Sequence, residues 1–401
     1  MKTIVQKYGG TSVKDKAKRD NIIANAKSAI SEGLSPIIVV SAMGRFPDPY
    51  STDALISLLP EPTRANARSK DFLSSVGELV TTVIVAEEFR LAGLSAAPLT
   101  GGQAGILTDG TFGEGKIMSI DTTRLTSLLE EGVIPIVAGF QGITEGGDIT
   151  TLGRGGSDIT ATALGGAMGS ELVEIFTDVD GIMTADPNVV TDAKLINMIE
   201  FEDVYRLAEY GAKVIHPRAV EHAMKASVPV KILNVDSSRN DTYTLISDPC
   251  DIPMGEVAFT AVTQLDNCSQ ATVFSEDMAK DDEMYRVLTA NNISIDMINI
   301  LPDRKVFIFN SSLSETIREL FASLGLEAQV VDGFSKITVM ANNMMGTPGI
   351  VAQIIAALYG NGIFIYQSSD SSTTISVLVK TEDSKTAVQV LHERLISSKN
   401  N

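Results

Sequence analysis

The sequence predicts an α/β domain with a mostly parallel sheet covered by helices on both faces, followed by two smaller α+β modules of the ferredoxin-like βαββαβ type. Three observations carry this. Short apolar strands alternate with helix-patterned stretches from residue 3 to about 245. A stretch at 246–257 with Pro249, Pro253 and Gly255 breaks both periods. Beyond it a strand, helix, strand, strand, helix pattern occurs twice, offset by 70 residues. Continuous β-branched runs alternating with helices mark a parallel sheet, whose crossovers place helices on its faces.

Within the first domain the expected strands are residues 3–6, 36–40, 135–138, 172–176 and 230–233, with helices at 19–30 and 158–167. In such folds ligands bind where loops leave the carboxyl ends of the strands. The glycine-rich segments of this chain fall there.

The repeat aligns Ala290-Asn291-Asn292-Ile293-Ser294-Ile295-Asp296 with the segment Tyr359-Gly360-Asn361-Gly362-Ile363-Phe364-Ile365-Tyr366, placing Ile293 opposite Ile363. The first copy continues into a strand at 328–331. After its helix at 385–395, the second closes in Ser397-Ser398-Lys399-Asn400-Asn401, which is no strand. A βαββαβ unit without its last strand leaves a sheet position empty. Residues 259–265 can fill it. The first module (267–331) is therefore expected to be inserted into the second (258–266 with 332–401), with 1–245 as the catalytic domain and 246–257 as linker.

With 401 residues, two or three domains are expected. A hydrophobic fraction of 44% with 20% charged residues belongs to a folded chain. The net charge of −18 argues against nucleic-acid and membrane-surface partners. Only Cys250 and Cys268 are present, without metal or disulfide-framework spacing. The start carries no long apolar signal region, and no apolar run approaches the ~18 residues of a membrane helix. A reducing, cytoplasmic compartment is the expectation.

Four segments carry candidate chemistry. Lys7-Tyr8-Gly9-Gly10-Thr11-Ser12 follows the first strand: glycines let backbone N–H groups approach phosphate oxygens, and a lysine neutralises a transferred phosphoryl group. An ordinary tight turn with a solvated lysine has the same local pattern. Gly153-Arg154-Gly155-Gly156-Ser157-Asp158 opens a helix; Ser157 or Asp158 can serve as its N-cap, whereas Arg154 between glycines suits bidentate capture of a carboxylate. Phe176–Pro187 is dense in turn formers and reads either as Asx-turn punctuation or as nucleotide contacts. Gly211–Pro217 supplies a second lysine, Lys213, ahead of a helix. His216 lies there without partners, so no metal site is expected.

Taken in order, KYGGTSV (Lys7–Val13), VVSAMG (Val39–Gly44), GRGGSD, FTDVDGIMTADP and GAKVIHPRA resemble aspartokinases of the amino-acid kinase family. The resemblance covers essentially the whole chain, including tandem C-terminal ACT modules, and is closest to the short Gram-positive-type enzymes. It implies a three-layer αβα sandwich that moves the γ-phosphoryl of ATP onto the side-chain carboxylate of L-aspartate. The products would be 4-phospho-L-aspartate and ADP, the first step toward lysine, threonine and methionine.

Residue by residue, the resemblance makes Lys7 the lysine that stabilises the transferred phosphoryl and Asp158 the aspartate that orients it. Gly9, Gly10 and Ser12 line the phosphates. Ser41, Thr52, Glu78, Arg154 and Ser157 form the aspartate pocket, with Arg154 on the α-carboxylate. Thr177, Asp178, Met183, Asp186 and Lys213 lie on the nucleotide side. Mg²⁺ accompanies the nucleotide. An amino-acid effector (lysine, threonine or diaminopimelate) would bind at module contacts near Asp296, Asn299, Met345, Gly346, Pro348, Gly349 and Gln367. Asp296 and Asn299 are expected to end a strand, and a homodimer or larger assembly to form through the modules. The segment Met344–Gly349 begins a helix that offers N–H groups to a carboxylate, although a capped turn starting an amphipathic helix reads the same way.

The chain also departs from the pattern: Asn188 replaces a usual arginine, Met183 a frequent tyrosine, and Met278-Ala279 stand where the second copy has Pro348-Gly349. A carboxylate nucleophile is already ionised at neutral pH, so positioning and cations, rather than a general base, must drive the transfer. The competing readings are another carboxylate kinase, for glutamate or acetylglutamate, and a non-catalytic ACT-type sensor.

Overall fold

The structure is a computed structural model that describes residues 1–61, 65–211, 214–237, 239–248, 259–341, 344 and 348–397. Lys213, Met345 and Gly346 lie outside the described residues, as does most of the stretch 246–257. The chain forms two compact units. The first holds Met1–Ile182, Leu195–Glu209 and Lys213–Asp251; the second holds Met183–Lys194, Tyr210–Ala212 and Ile252–Asn401.

The first unit is built on an eight-stranded sheet. Its spatial order is Met198–Glu200, Tyr243–Ser247, Val230–Asn234, Leu172–Thr177, Thr3–Tyr8, Ser35–Val40, Ile134–Ala138, Ala96–Leu99. Six strands run parallel, and the pair Tyr243–Ser247 and Met198–Glu200 runs against them. Helix Lys16–Ser31 shows why the crossovers fold as they do. Asp15 caps it by accepting from the Lys18 N–H, and Ile22, Ile23, Ala26 and Ala29 recur at helical spacing on its buried face. The helix Gly156–Met168 packs on strands Thr3–Tyr8 and Leu172–Thr177.

A second, four-stranded sheet orders Ile117–Ile120, Ile106–Thr108, Gln141–Ile143 and Ile149–Thr151. The sequence reading has no counterpart for it. Its strands span only three or four residues, too few for alternation to register. Its last strand leads directly into Gly153–Asp158.

The second unit is a six-stranded antiparallel sheet with two long central strands, Phe259–Phe274 and Glu327–Ala341. Residues 259–265 pair with 336–341, and residues 268–274 pair with both 304–310 and 327–334. Each long strand thus serves one helix-bearing half and then the other. The offset of 70 residues holds in detail. Asn292 and Gly362 both take positive φ, and the N–H groups of Ile293 and Ile363 donate to Leu288 and Leu358.

The two edge strands, Asp296–Ile300 and Gln367–Asp370, meet through the Gln367 amide. It donates to the Met297 carbonyl and, at 2.7 Å, to Asn299 Oδ1. Asp296 opens the strand Asp296–Ile300 rather than ending it, a correction to the sequence reading, and Asn299 is its penultimate residue.

The boundary expected at 245 is not a single cut. Segment Met183–Lys194 belongs with the second unit because groups of that unit grip it. Val262 N–H donates to the Thr184 carbonyl, Gln389 Nε2 donates to the Val189 carbonyl, and Thr184 Oγ1 lies 2.8 Å from His392 Nε2.

Candidate active site

Within the first unit a cavity of about 300 Å³ opens at the carboxyl ends of the parallel strands. The lining includes Lys7, Gly10, Ser41, Thr52, Glu78, Arg154, Ser157 and Asp158. Every residue assigned to the aspartate pocket is therefore at one cavity, together with the expected lysine–aspartate pair.

Lys7 is the penultimate residue of strand Thr3–Tyr8, and its Nζ stands 2.5 Å from Asp158 Oδ1. Both side chains are mostly buried. Asp158 lies on the first turn of helix Gly156–Met168, and neither it nor Ser157 caps that helix, contrary to one of the readings above. The N-cap is Gly155, with no side-chain cap, which leaves both side chains available to the cavity. Ser157 accepts a hydrogen bond of 2.9 Å from the Ser41 hydroxyl.

The glycines around Arg154 have a conformational cause. Gly153 and Gly155 take φ of +76° and +69°, and a Cβ on Gly155 would stand 2.2 Å from His216 Cβ. Arg154 itself is exposed at the cavity, and no acid among the described residues pairs with it. Gly10 is required by close approach: a Cβ there would meet the Ala42 and Gly44 carbonyls at 2.7 Å.

Glu78, on helix Val76–Leu91, is 2% exposed. Its Oε1 accepts from the Ala42 N–H at 3.1 Å, and its buried Oε2 has no partner. Burial pushes its pKa up to about 8, against the weaker pull of that N–H. An orphaned buried carboxylate oxygen facing a cavity is a site prepared for a cationic ligand group.

The nucleotide-side residues are less gathered. Gly9 and Ser12 follow Lys7 but do not line the cavity; the Ser12 hydroxyl is buried without a partner. Thr177 ends the strand next to Lys7's, and its hydroxyl donates to Asp178 Oδ1 at 3.2 Å. Arg45 reaches Asp178 at 3.5 Å. Met183 and Asp186 belong to the second unit. There Asp186 Oδ1 accepts from the N–H and Nδ2 of Asn188, at 2.8 and 2.9 Å. Asn188, the departure noted above, thus closes an Asx turn.

Ala42, Gly44 and Phe140 also line the cavity without having been assigned to it. Gly139-Phe140 follows strand Ile134–Ala138, and this strand-end position is the signal that marks it. Phe140 takes φ +70°.

Of the effector candidates, Asn299 and Gln367 are joined by hydrogen bonding, and Asp296 forms an ion pair with Lys336. Pro348 and Gly349 stand at the start of helix Ile350–Tyr359, where Gly349 is the N-cap with φ +92°.

The amino acid kinase family profile matches residues 2–234, and an ACT domain profile matches 329–393. Aspartokinase 1 of Bacillus subtilis is 41% identical over 400 residues, covering 98% of each chain. The crystal structure of Escherichia coli aspartokinase III with aspartate and ADP superposes with a TM-score of 0.81 at 25% identity, covering 98% of this chain and 100% of that one. The same enzyme with lysine and aspartate gives 0.75 at 25% identity, over 98% and 99%.

Proposed function

The chain belongs to the amino acid kinase family, and we propose that it is an aspartate kinase, transferring the γ-phosphoryl group of ATP to the side-chain carboxylate of L-aspartate. One observation carries the reading at the site: Arg154 and Glu78, whose buried Oε2 has no partner, line the same cavity as the Lys7–Asp158 pair. An α-amino acid offers a carboxylate to the guanidinium and an ammonium to Glu78. Its remaining carboxylate then turns toward Lys7.

The chemistry asks little more of the protein. The attacking carboxylate carries its charge already, so Asp158 orients Lys7 rather than removing a proton. Lys7 offsets charge building on the transferred group, and Ser41 and Ser157 hold the cavity floor through their mutual hydrogen bond. Among the described residues no group of three or more His, Cys, Asp or Glu gathers, and Asp158 is engaged by Lys7. Mg²⁺ would come with the nucleotide as MgATP, since it seldom uses an all-protein cage.

Thr177, Asp178, Met183, Asp186 and Lys213 are proposed for the nucleotide side, with Gly9, Gly10 and Ser12 near the phosphates. The product 4-phospho-L-aspartate would feed lysine, threonine and methionine supply. A cytoplasmic location belongs to the same proposal; no helix among the described residues is long and apolar enough to cross a membrane.

The second unit is proposed to sense lysine, threonine or diaminopimelate, near Asp296, Asn299, Gln367 and 345–349. Support comes from the lysine-bound aspartokinase III and from the side-chain junction at Gln367. A homodimer or larger assembly is part of this reading. The edge strands Asp296–Ile300 and Gln367–Asp370 meet each other, so open strand edges do not carry it. The exposed apolar face Val351, Ile355 and Tyr359, spaced four apart on one helix and flanked by Phe364, supports it instead.

ADP release on mixing the purified chain with aspartate and MgATP tests the activity. Glutamate or acetylglutamate giving the faster rate points to another carboxylate kinase, and no release with any of them leaves the sensor reading.

A further inference from the structure

Two charged side chains without a role in the chemistry above converge on the strand that leads to Arg154. Asp71, on helix Ala67–Ser74, is 2% exposed. Its Oδ2 accepts from the N–H groups of Thr151 at 2.8 Å and Gly113 at 2.9 Å, and its Oδ1 accepts from the Thr151 hydroxyl at 2.9 Å. Arg218, on helix Pro217–Lys225, donates to the Leu152 carbonyl at 2.7 Å and the Gly115 carbonyl at 2.9 Å. A backbone bond from Gly115 N–H to the Thr151 carbonyl, 2.8 Å, closes the set. Among the described residues no close ion pair joins Asp71 to a cation or Arg218 to an acid, although the Arg218 charge is felt at Glu221.

We propose that Asp71 and Arg218 are positioning residues that hold Arg154 toward the amino-acid substrate; this rests on the reading of Arg154 given above. Only Gly153 separates the clamped residue Leu152 from Arg154, and Gly155 follows it. Both glycines occupy the left-handed region, where the backbone has most freedom to lose. A guanidinium that must meet a planar carboxylate in register needs support to within about 0.5 Å. The two glycines cannot supply it, so it comes from the strand before them.

The use of full charges fits this role. A buried carboxylate unpaired with any cation is costly, and a neutral amide would satisfy the same fold at less expense. Charge-assisted hydrogen bonds to backbone groups are shorter and stronger than neutral ones, which suits a part that must not drift. His216, two residues before Arg218, packs against Gly155 and closes the loop from the other side.

The test is steady-state kinetics on the full chain with aspartate and MgATP. Arg218→Met and Asp71→Ala are each expected to raise the aspartate KM about tenfold or more while the MgATP KM stays within about twofold. Asp71→Asn restores only part of the loss, because its amide oxygen still accepts the two N–H groups while the charge that tightens those bonds is gone. If Asp71→Ala does not fold, Thr151→Val removes only the hydroxyl bond, with an expected rise of about twofold in aspartate KM. The double variant Arg218→Met with Arg154→Ala is expected to be no worse than Arg154→Ala alone, since both act through one group. Additive losses, with Arg154→Ala alone strongly raising the aspartate KM, overturn the positioning role and leave Arg154 in place. An Arg154→Ala enzyme with unchanged aspartate KM overturns both. Equal rises in the two KM values also overturn the proposal, as they mark a general disturbance of the cavity.

Discussion

Lys7 Nζ and Asp158 Oδ1 stand 2.5 Å apart, joining the end of the first strand to the first turn of a helix 151 residues later in the sequence. The pair fixes the lysine's direction before any substrate arrives. Lys7→Ala is expected to lower kcat by about 10²–10³ with the fold intact, the usual loss for one preorganised donor at a developing charge. Asp158→Asn should cost less, because the lysine remains. A folded Lys7→Ala enzyme with kcat near that of the parent removes Lys7 from the mechanism.

Arg154→Lys tests bidentate recognition. An ammonium is a point charge and cannot make the paired planar contact, so the aspartate KM should rise about tenfold or more with a small change for MgATP. A larger rise for MgATP places Arg154 on the nucleotide side instead.

Glu78 makes stability depend on pH in a definite direction. Its folded pKa is about 8 against an ordinary value of 4.5, so between these values the folded state keeps a proton that the unfolded chain has lost. Stability therefore falls as pH rises from about 4.5 to about 8. Glu78→Gln removes that loss, and its Tm advantage over the parent should widen by several degrees between pH 5 and pH 8.5. The same variant should bind aspartate more weakly, because the substrate ammonium draws Glu78 into its carboxylate form and an amide cannot take that charge. Parallel Tm curves for the two proteins across this range would falsify the assignment.

Gln367 links the two edge strands of the second unit, with Asn299 Oδ1 at 2.7 Å and Gln270 Nε2 donating to it at 2.9 Å. Gln367→Ala should weaken inhibition by the active effector about tenfold, within the usual 1–3 kcal/mol of allosteric coupling, while kcat without effector is unchanged. Dose–response curves for lysine, threonine and diaminopimelate check it. Activity that ignores all three, singly and together, overturns the sensor assignment.

The exposed face of helix Ile350–Tyr359 predicts a shift in assembly. Tyr359→Glu with Ile355→Glu places charges into an apolar contact, so light scattering should report a smaller particle than the parent. An unchanged mass moves the interface elsewhere.

Much of this protein was legible in its sequence because the governing physics is local. Strands 36–40 and 172–176 announce themselves by β-branched runs, and the glycines beside Lys7 and Arg154 mark a close approach and two left-handed residues. The repeat at 70 residues survives because each copy needs the same turn before Ile293 and Ile363. Tertiary structure decided the rest. Asp71 holds Thr151 across 80 positions, and Arg218 holds Leu152 across 66. Neither relation leaves a period or a spacing in the chain. The partnerless oxygen of Glu78, the neighbours of Gln367 and the allotment of Met183–Lys194 to the second unit are likewise outcomes of packing. A local pattern states which face of an element seeks burial; which distant group meets it there depends on how whole elements stack, and only the folded chain contains that.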